Sequence, residues 1–494
     1  MGRGDDGNGR IGGKFGLKYI FELLDHGLYG FYRFSLIFLI YLCRSIKSIQ
    51  SVVYILSHIF YQLIMKKLIT ILLLLSVSIF AQKKKNRDTY EPKKIIYDNH
   101  IYEPYIRTVQ LYPILNSGKS AQASLNPPVV KLQDNQPLML EFDCLNPEYQ
   151  FFRVKIFHCN ADWKPSVLNE IEYLPEYNDF PINDYKNSFA TKIQYNHFII
   201  ELPHVKVSGN YIVMVYKNRN EDDIVLTRKF MVYDNRVNVG GRTSYPNNAQ
   251  KRMTHQQVNF GINYGNYEII DPKQDLKVMI RQNFRDDKTT KPLIPFMVDT
   301  YNKKLDYQFF DGENQFEGGS EFRMFDGRST VQKLVNISKV FQGEKESVLE
   351  IYPEKSQNKM AYVAVNDFNG QFVIDNYETN RGETESDYVR VSFFLKSDSL
   401  ENKKVYVNGA FNDWRLDEKN LMHYVPENQA YEVFIQLKQG IYNYNYLTVD
   451  SQGHKSESDF ENTHSQTENA YEIFVYHRPI GSRADALVGY SLVK

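Results

Sequence analysis

Cysteine is scarce. The 494 residues include three, Cys43, Cys144 and Cys159, which excludes the dense disulfide framework of small secreted domains. Tryptophan occurs only at Trp163 and Trp414. Net charge is missing too: 59 Lys and Arg balance 59 Asp and Glu, so no global field attracts nucleic acid or anionic lipid. Catalytic signatures are absent, with no Gly-x-Ser-x-Gly elbow and no His-Glu-x-x-His. Gly118-Lys119-Ser120 ends like a phosphate loop, but Pro113 stands where the earlier glycine is required. Asp311-Gly312-Glu313 lacks the rest of a calcium-loop register and reads as a turn. His197, His204 and His255 are dispersed without ligand spacing. The chain is expected to be no enzyme and to carry no cofactor or metal.

What is present begins with an export pattern. Met65-Lys66-Lys67 is a short basic start, Leu68–Phe80 is apolar, and Ala81-Gln82 opens a polar stretch. That is the layout of a secretory signal peptide over 65–81, too short for a comfortable membrane span. Residues 1–64 then read as an extension from a misplaced start. The other reading is a membrane-anchored N-terminus built from the apolar runs Phe34–Cys43 and Val52–Ile64. Cleavage after Ala81 leaves residues 82–494, room for two to four domains at roughly 100–200 residues each. The mature chain is expected not to insert in a membrane.

Short runs with a period of two recur along the mature chain, among them Phe151–Phe157, Phe198–Leu202, Tyr211–Tyr216, Tyr362–Val365, Val389–Leu395 and Tyr471–Tyr476. Turn signals separate them, and no long amphipathic helix follows Ala81. The expected fold is all-β, a tandem of antiparallel Ig-like or early-set β-sandwiches. Polar stretches suggest the divisions: an extended arm at 82–100, a first sandwich at 101–234 and a second β domain at 235–378. A linker at Thr379–Asp387 precedes a third, early-set-like sandwich at 388–494. A hairpin turning at Asn146-Pro147-Glu148 would set Cys144 opposite about Phe151 and leave Cys159 beyond the ~7 Å reach of a disulfide. Two buried free thiols are the favoured reading; a disulfide is the other.

The densest candidate for chemistry is His158-Cys159-Asn160-Ala161-Asp162-Trp163-Lys164-Pro165-Ser166, leading to Tyr173. Its His, Cys and Asp invite a nucleophile or metal reading. Adjacent residues on a strand point to opposite faces, so His158 cannot readily activate Cys159. No second ligand pair accompanies them. The favoured reading is architectural. Trp163 would plug the core at the strand exit, Asp162 would cap the turn, and Pro165 would open a short helix.

Near the C-terminus, Val405–Asn408, Gly409-Ala410-Phe411-Asn412-Asp413-Trp414 and Gly440-Ile441-Tyr442-Asn443-Tyr444 resemble the glycogen-binding type of early-set sandwich. That resemblance implies a sugar platform at Trp414. The family's lysine falls at Asn445, however, and its second tryptophan near Gly453-His454. A vestigial platform, and hence a periplasmic glycan-binding module, is the alternative function.

A wider set of motifs resembles one family. It comprises Ile106–Pro113, Asn126-Pro127-Pro128-Val129, Phe142-Asp143, His158–Ser166, Glu172-Tyr173-Leu174, Thr227-Arg228-Lys229-Phe230, Asn283-Phe284-Arg285 and Asp485-Ala486-Leu487. Together these resemble the type IX secretion system plug proteins of the Bacteroidetes. The resemblance implies a periplasmic protein, monomeric apart from its partner. That partner is the outer-membrane translocon barrel, whose periplasmic opening the plug closes when no cargo is exported.

Overall fold

The computed structural model describes residues 49–83, 92–114, 121–134, 136–146, 148 and 150–494. It divides into two compact units, Met1–Glu91 and Pro92–Lys494. In the first, Ile49–Lys83 is one helix that continues through the expected start at Met65 and the expected cut after Ala81. Among the described residues no helix is long and apolar enough to cross a membrane. Residues 1–48 and Gly118-Lys119-Ser120 lie outside the described residues.

The second unit is all-β and holds three apolar cores. The first core lies between two sheets. One carries Ile106–Pro113, Leu138–Cys144, Asn196–Glu201 and Asp184–Asn187; the other is centred on Phe152–Cys159, Gly209–Lys217 and Asn220–Tyr233. Phe142 and Phe198, from one sheet, meet Phe152, from the other, with ring centroids 5.3 Å and 4.8 Å from it. Each such burial contributes about 1.5–3 kcal/mol. Pro92–Asn99 forms no regular element, but Lys93 ties it to the long strand through Asp223 at 3.0 Å.

The expected hairpin between the two cysteine strands is not formed. Leu138–Cys144 pairs with Ile106–Pro113 and Asn196–Glu201, whereas Phe152–Cys159 pairs with Gly209–Lys217 in the facing sheet. The connection therefore crosses the sandwich. Alternation reports that a strand exists but says nothing of its partner. Both thiols are free and buried. Burial pushes the Cys159 thiol up to about 12, and burial also raises Cys144. Both should resist alkylation at pH 8 in the native state and react on unfolding. Mass spectrometry after iodoacetamide checks this; rapid native labelling would contradict it.

The expected division at 378–388 does not separate the other two cores. Strands Tyr471–His477 and Ala486–Val493 leave the C-terminal segment and form a sheet with Leu276–Gln282. That sheet faces Asn238–Ser244, His255–Asn263 and Lys304–Tyr307 across the second core. Conversely, Arg323–Asp326, Ile337–Gln342, Ser347–Ile351 and Phe372–Ile374 join the eleven-stranded sheet around the third core. That sheet closes over itself: Phe393 and Tyr444, on strands that do not pair, have rings 5.1 Å apart. The stretch taken as a linker at Thr379–Asp387 is a clamp, with Asp387 accepting from the backbone of Lys192 and Ile193 in the first core's loops. Tyr362–Val365 forms no strand, and its valine side chains are exposed.

Candidate functional site

The run His158–Ser166 ends a strand and doubles back. Asn160 donates to the Lys164 carbonyl at 2.9 Å, Ser166 donates to that of His158 at 2.9 Å, and Cys159 bridges to Pro165. Trp163, near the turn's tip, has φ +61°. Pro165 does not open a helix; the short helix is Glu170–Tyr173, begun by a capping box at Asn169 and Glu172. Asp162 accepts from the Lys164 backbone at 3.2 Å, and Ser166 from Leu168 at 3.3 Å. Tyr173 is the residue that enters the first core, its hydroxyl donating to the Ile156 carbonyl at 3.0 Å.

His158 and Cys159 are both buried and share no hydrogen bond. The His158 ring packs edge-on against Tyr211 at 5.0 Å, and its Nε2 lies 3.4 Å from the Ser208 carbonyl. A Cβ on Gly209, which has φ +154°, would sit 2.3 Å from that nitrogen, so only glycine admits the ring. Burial lowers the His158 imidazole to about 4, from an ordinary 6.5. The unfolded chain then binds a proton through pH 6.5 that the folded chain refuses until about pH 4. Stability from this group is full above 6.5 and falls by roughly 3 kcal/mol on acidification to 4. His158→Phe should flatten that slope in urea titrations across the interval. A slope that persists in the variant assigns the effect elsewhere.

Trp163 does not plug the first core. Its half-buried ring packs on a separate cluster of Val129, Ala161, Met231, Phe474, Tyr476 and Leu487, where the first core's sheet meets the C-terminal strands. Lys229 lies over it at 4.4 Å. Asp485 completes this clasp by accepting from the Ala161 backbone at 3.0 Å, while Lys277 and Arg478 hold its other contacts. Burial pushes the Asp485 carboxyl up, but these donors outweigh it and hold it below the ordinary range. His158–Ser166 and Asp485-Ala486-Leu487, far apart in the chain, thus form one structure.

Next to it all three cores meet around a cavity of about 330 Å³. Lys229 from the first core bonds Asp286 near the second at 2.9 Å, and Arg228 reaches Asp413 near the third at 3.2 Å. Arg285 covers the Trp414 ring at 4.1 Å. Phe322 packs against that ring at 5.7 Å, and Gly370 approaches so closely that a Cβ there would lie 2.4 Å from it. Trp414 is a half-buried joint residue with φ +57°.

A second junction, between the first and third cores, was missed by sequence reasoning, which had dismissed His197. Asp143 accepts from Lys438 Nζ at 2.7 Å, from the Tyr388 hydroxyl at 2.7 Å, and bonds His197 Nδ1 at 2.7 Å. Asp143 and Lys438 side chains are each 1% exposed. Burial pushes the Asp143 carboxyl up, yet Lys438 and His197 outweigh it and keep it below its ordinary range. Burial pulls the Lys438 ammonium down against the opposing pull of Asp143. A cavity of about 390 Å³ adjoins them. The available signal was Glu141 and Asp143 inside the otherwise apolar Leu138–Cys144: a charge in a fully buried strand needs a partner.

On the outer side of the second core, Ile294, Phe296, Met297, Tyr301 and Phe310 are exposed around the edge strand Met297–Asp299. Phe296 and Phe310 meet at 5.5 Å, and Tyr301 is 93% exposed.

A family model described as the first domain of the type 9 secretion system plug protein matches residues 106–234. That segment coincides with the first core. No curated protein matches. Among solved structures, the crystal structure of a hypothetical protein from Parabacteroides merdae ATCC 43184 is 31% identical with a TM-score of 0.75. The alignment covers 81% of this chain and 100% of that one.

Proposed function

The chain belongs to the type 9 secretion system plug protein family, and on that premise we propose that it is a periplasmic plug that closes the outer-membrane translocon barrel by occupying its opening when no cargo is in transit. The observation that carries this reading is the bracing at the junction of the three cores. Lys229–Asp286, Arg228–Asp413 and Arg285 over Trp414 link the cores in every pairwise combination. A steric seal needs a body that keeps its shape, and these links resist hinge motion between cores, which is the usual expectation for linked domains.

The exposed aromatic edge at Phe296, Tyr301 and Phe310 has the composition of an interface centre. A stable seal needs roughly 1,200–2,000 Å² of contact, and an aromatic anchor concentrates its energy. The glycan alternative draws no support from Trp414, whose ring is engaged by Arg285 and Phe322. Affinity purification of the tagged native protein tests the proposal. The barrel should co-purify, and the yield should fall at least tenfold in Tyr301→Asp/Phe310→Asp. A deletion strain short of cargo should become permeable to large antibiotics. An intact permeability barrier in that strain, with no barrel recovered, would sink the reading.

A further inference from the structure

We propose that Asp143 and Lys438 condense to an amide, a side-chain cross-link between the first and third cores. Lys438 Nζ lies 2.7 Å from Asp143 Oδ2, and each side chain is 1% exposed. Among the described residues this is the one Lys–carboxylate pair so fully removed from water; the deeply buried arginine pairs, Arg281–Glu472 and Arg323–Glu461, use guanidinium groups, which are not acylated in this way. Nucleophile and electrophile are held in contact by two separate cores, so the step is effectively intramolecular.

The atoms balance without a co-reactant. One proton passes from the Lys438 ammonium to Asp143 Oδ2, giving a neutral amine and a carboxylic acid. Burial lowers the Lys438 ammonium and so eases this transfer, against the pull of Lys438 and His197 that keeps the Asp143 carboxyl below its ordinary range. The amine lone pair attacks Cγ, Nζ gives a second proton to Oδ2, and the Cγ–Oδ2 bond breaks to release water. The Tyr388 hydroxyl donates to Oδ2 at 2.7 Å and supports its departure. The adjoining cavity of about 390 Å³ receives the water.

In the product the Tyr388 hydroxyl, which loses Oδ2, keeps Thr108 Oγ1 at 2.7 Å. The remaining N–H of Nζ keeps the Glu383 carbonyl as acceptor at 2.9 Å, and Oδ1 keeps His197 Nδ1 at 2.7 Å. The two buried charges are gone, and their desolvation cost with them.

Intact mass and tryptic mapping of the purified wild-type protein decide the matter. The expected mass is lower than the sequence mass by one water, with a branched peptide joining the segments that contain Asp143 and Lys438. Because Asp311-Gly312 and Asp326-Gly327 can lose water as cyclic imides, fragmentation of the branched peptide is the deciding readout. Tyr388→Phe should lower the cross-linked fraction, and Lys438→Arg should abolish it. Recovery of Asp143 and Lys438 only in separate linear peptides of wild-type protein overturns the proposal, whether or not any variant folds.

Discussion

A chain ending at Asn469 should lose its second core. The deletion removes Tyr471, Ile473 and Val475, each 0% exposed, with Val488 at 2% and Val493 at 7%. At about 1.5–3 kcal/mol apiece, five such side chains represent roughly 8–15 kcal/mol. That equals the whole net stability of an ordinary domain, about 5–15 kcal/mol. The loss is more than area. Leu276–Gln282 forfeits its ladder partner Tyr471–His477, and the clasp at Asp485 disappears from beneath Ala161. Limited proteolysis should cut the truncated chain within residues 235–322 and spare the first core. Equal protease resistance in the two chains would refute the argument. By the same logic a fragment of 388–494 should not fold alone, since it lacks five strands of its own sheet and carries two belonging to another.

Arg281→Leu is expected to cost about 3–5 kcal/mol, the usual range for stripping one partner from a buried pair. Arg281 grips Glu472 through two bonds, at 2.7 Å and 3.1 Å, and reaches Asp286 at 2.8 Å. Glu472 is 0% exposed and would be left as an unneutralised charge inside the molecule. The Tyr490 hydroxyl still donates to it, which reduces the cost without cancelling it. Arg281→Leu/Glu472→Leu should recover most of the loss, because two apolar groups carry no desolvation debt. Arg381→Ala, at a side chain 74% exposed, should stay within about 0.5 kcal/mol. Urea midpoints for the three variants test the set. A single Arg281 variant as stable as the double would show that Glu472 finds water or a proton at no cost.

The acid limb has its own sign. Burial pushes the Asp286 carboxyl up, but Arg281 and Lys229 overcome it and hold it near about 2. A depressed carboxylate adds stability above its unfolded value of about 4, and that stability is lost as the pH falls toward 2. It therefore begins where the His158 contribution ends, and acid unfolding should extend over both intervals.

Period-two alternation made the strands and the all-β class legible, and strand geometry correctly parted His158 from Cys159. Partnership was not legible. Tyr471–His477 is buried at every position, so its pattern carries no sign of which sheet it enters. The polar run Thr379–Asp387 resembled a linker because Asp387 and its neighbours bond backbone groups, and composition alone does not distinguish such a clamp from solvated chain. The setting of Trp163 and Trp414 was not legible: each lies beneath a cation, Lys229 or Arg285, contributed by a distant segment. Asp143 and Lys438 are 295 positions apart in the chain, and only its return brings them together.

That return also dictates an order of assembly. A chain emerging N-terminus first has every strand of its first core by Tyr233, and the third core's last packed residue, Phe460, follows much later. The second core, although its first strand begins at Asn238, stays open until Val493 arrives. Pairings of such long range are slow to form. The central piece is therefore the last to close, and an unfinished or clipped chain lacks the element that locks its neighbours together. Arrival of Val493 and acquisition of a rigid shape become the same event, so a chain cut short of it presents an open, protease-sensitive middle.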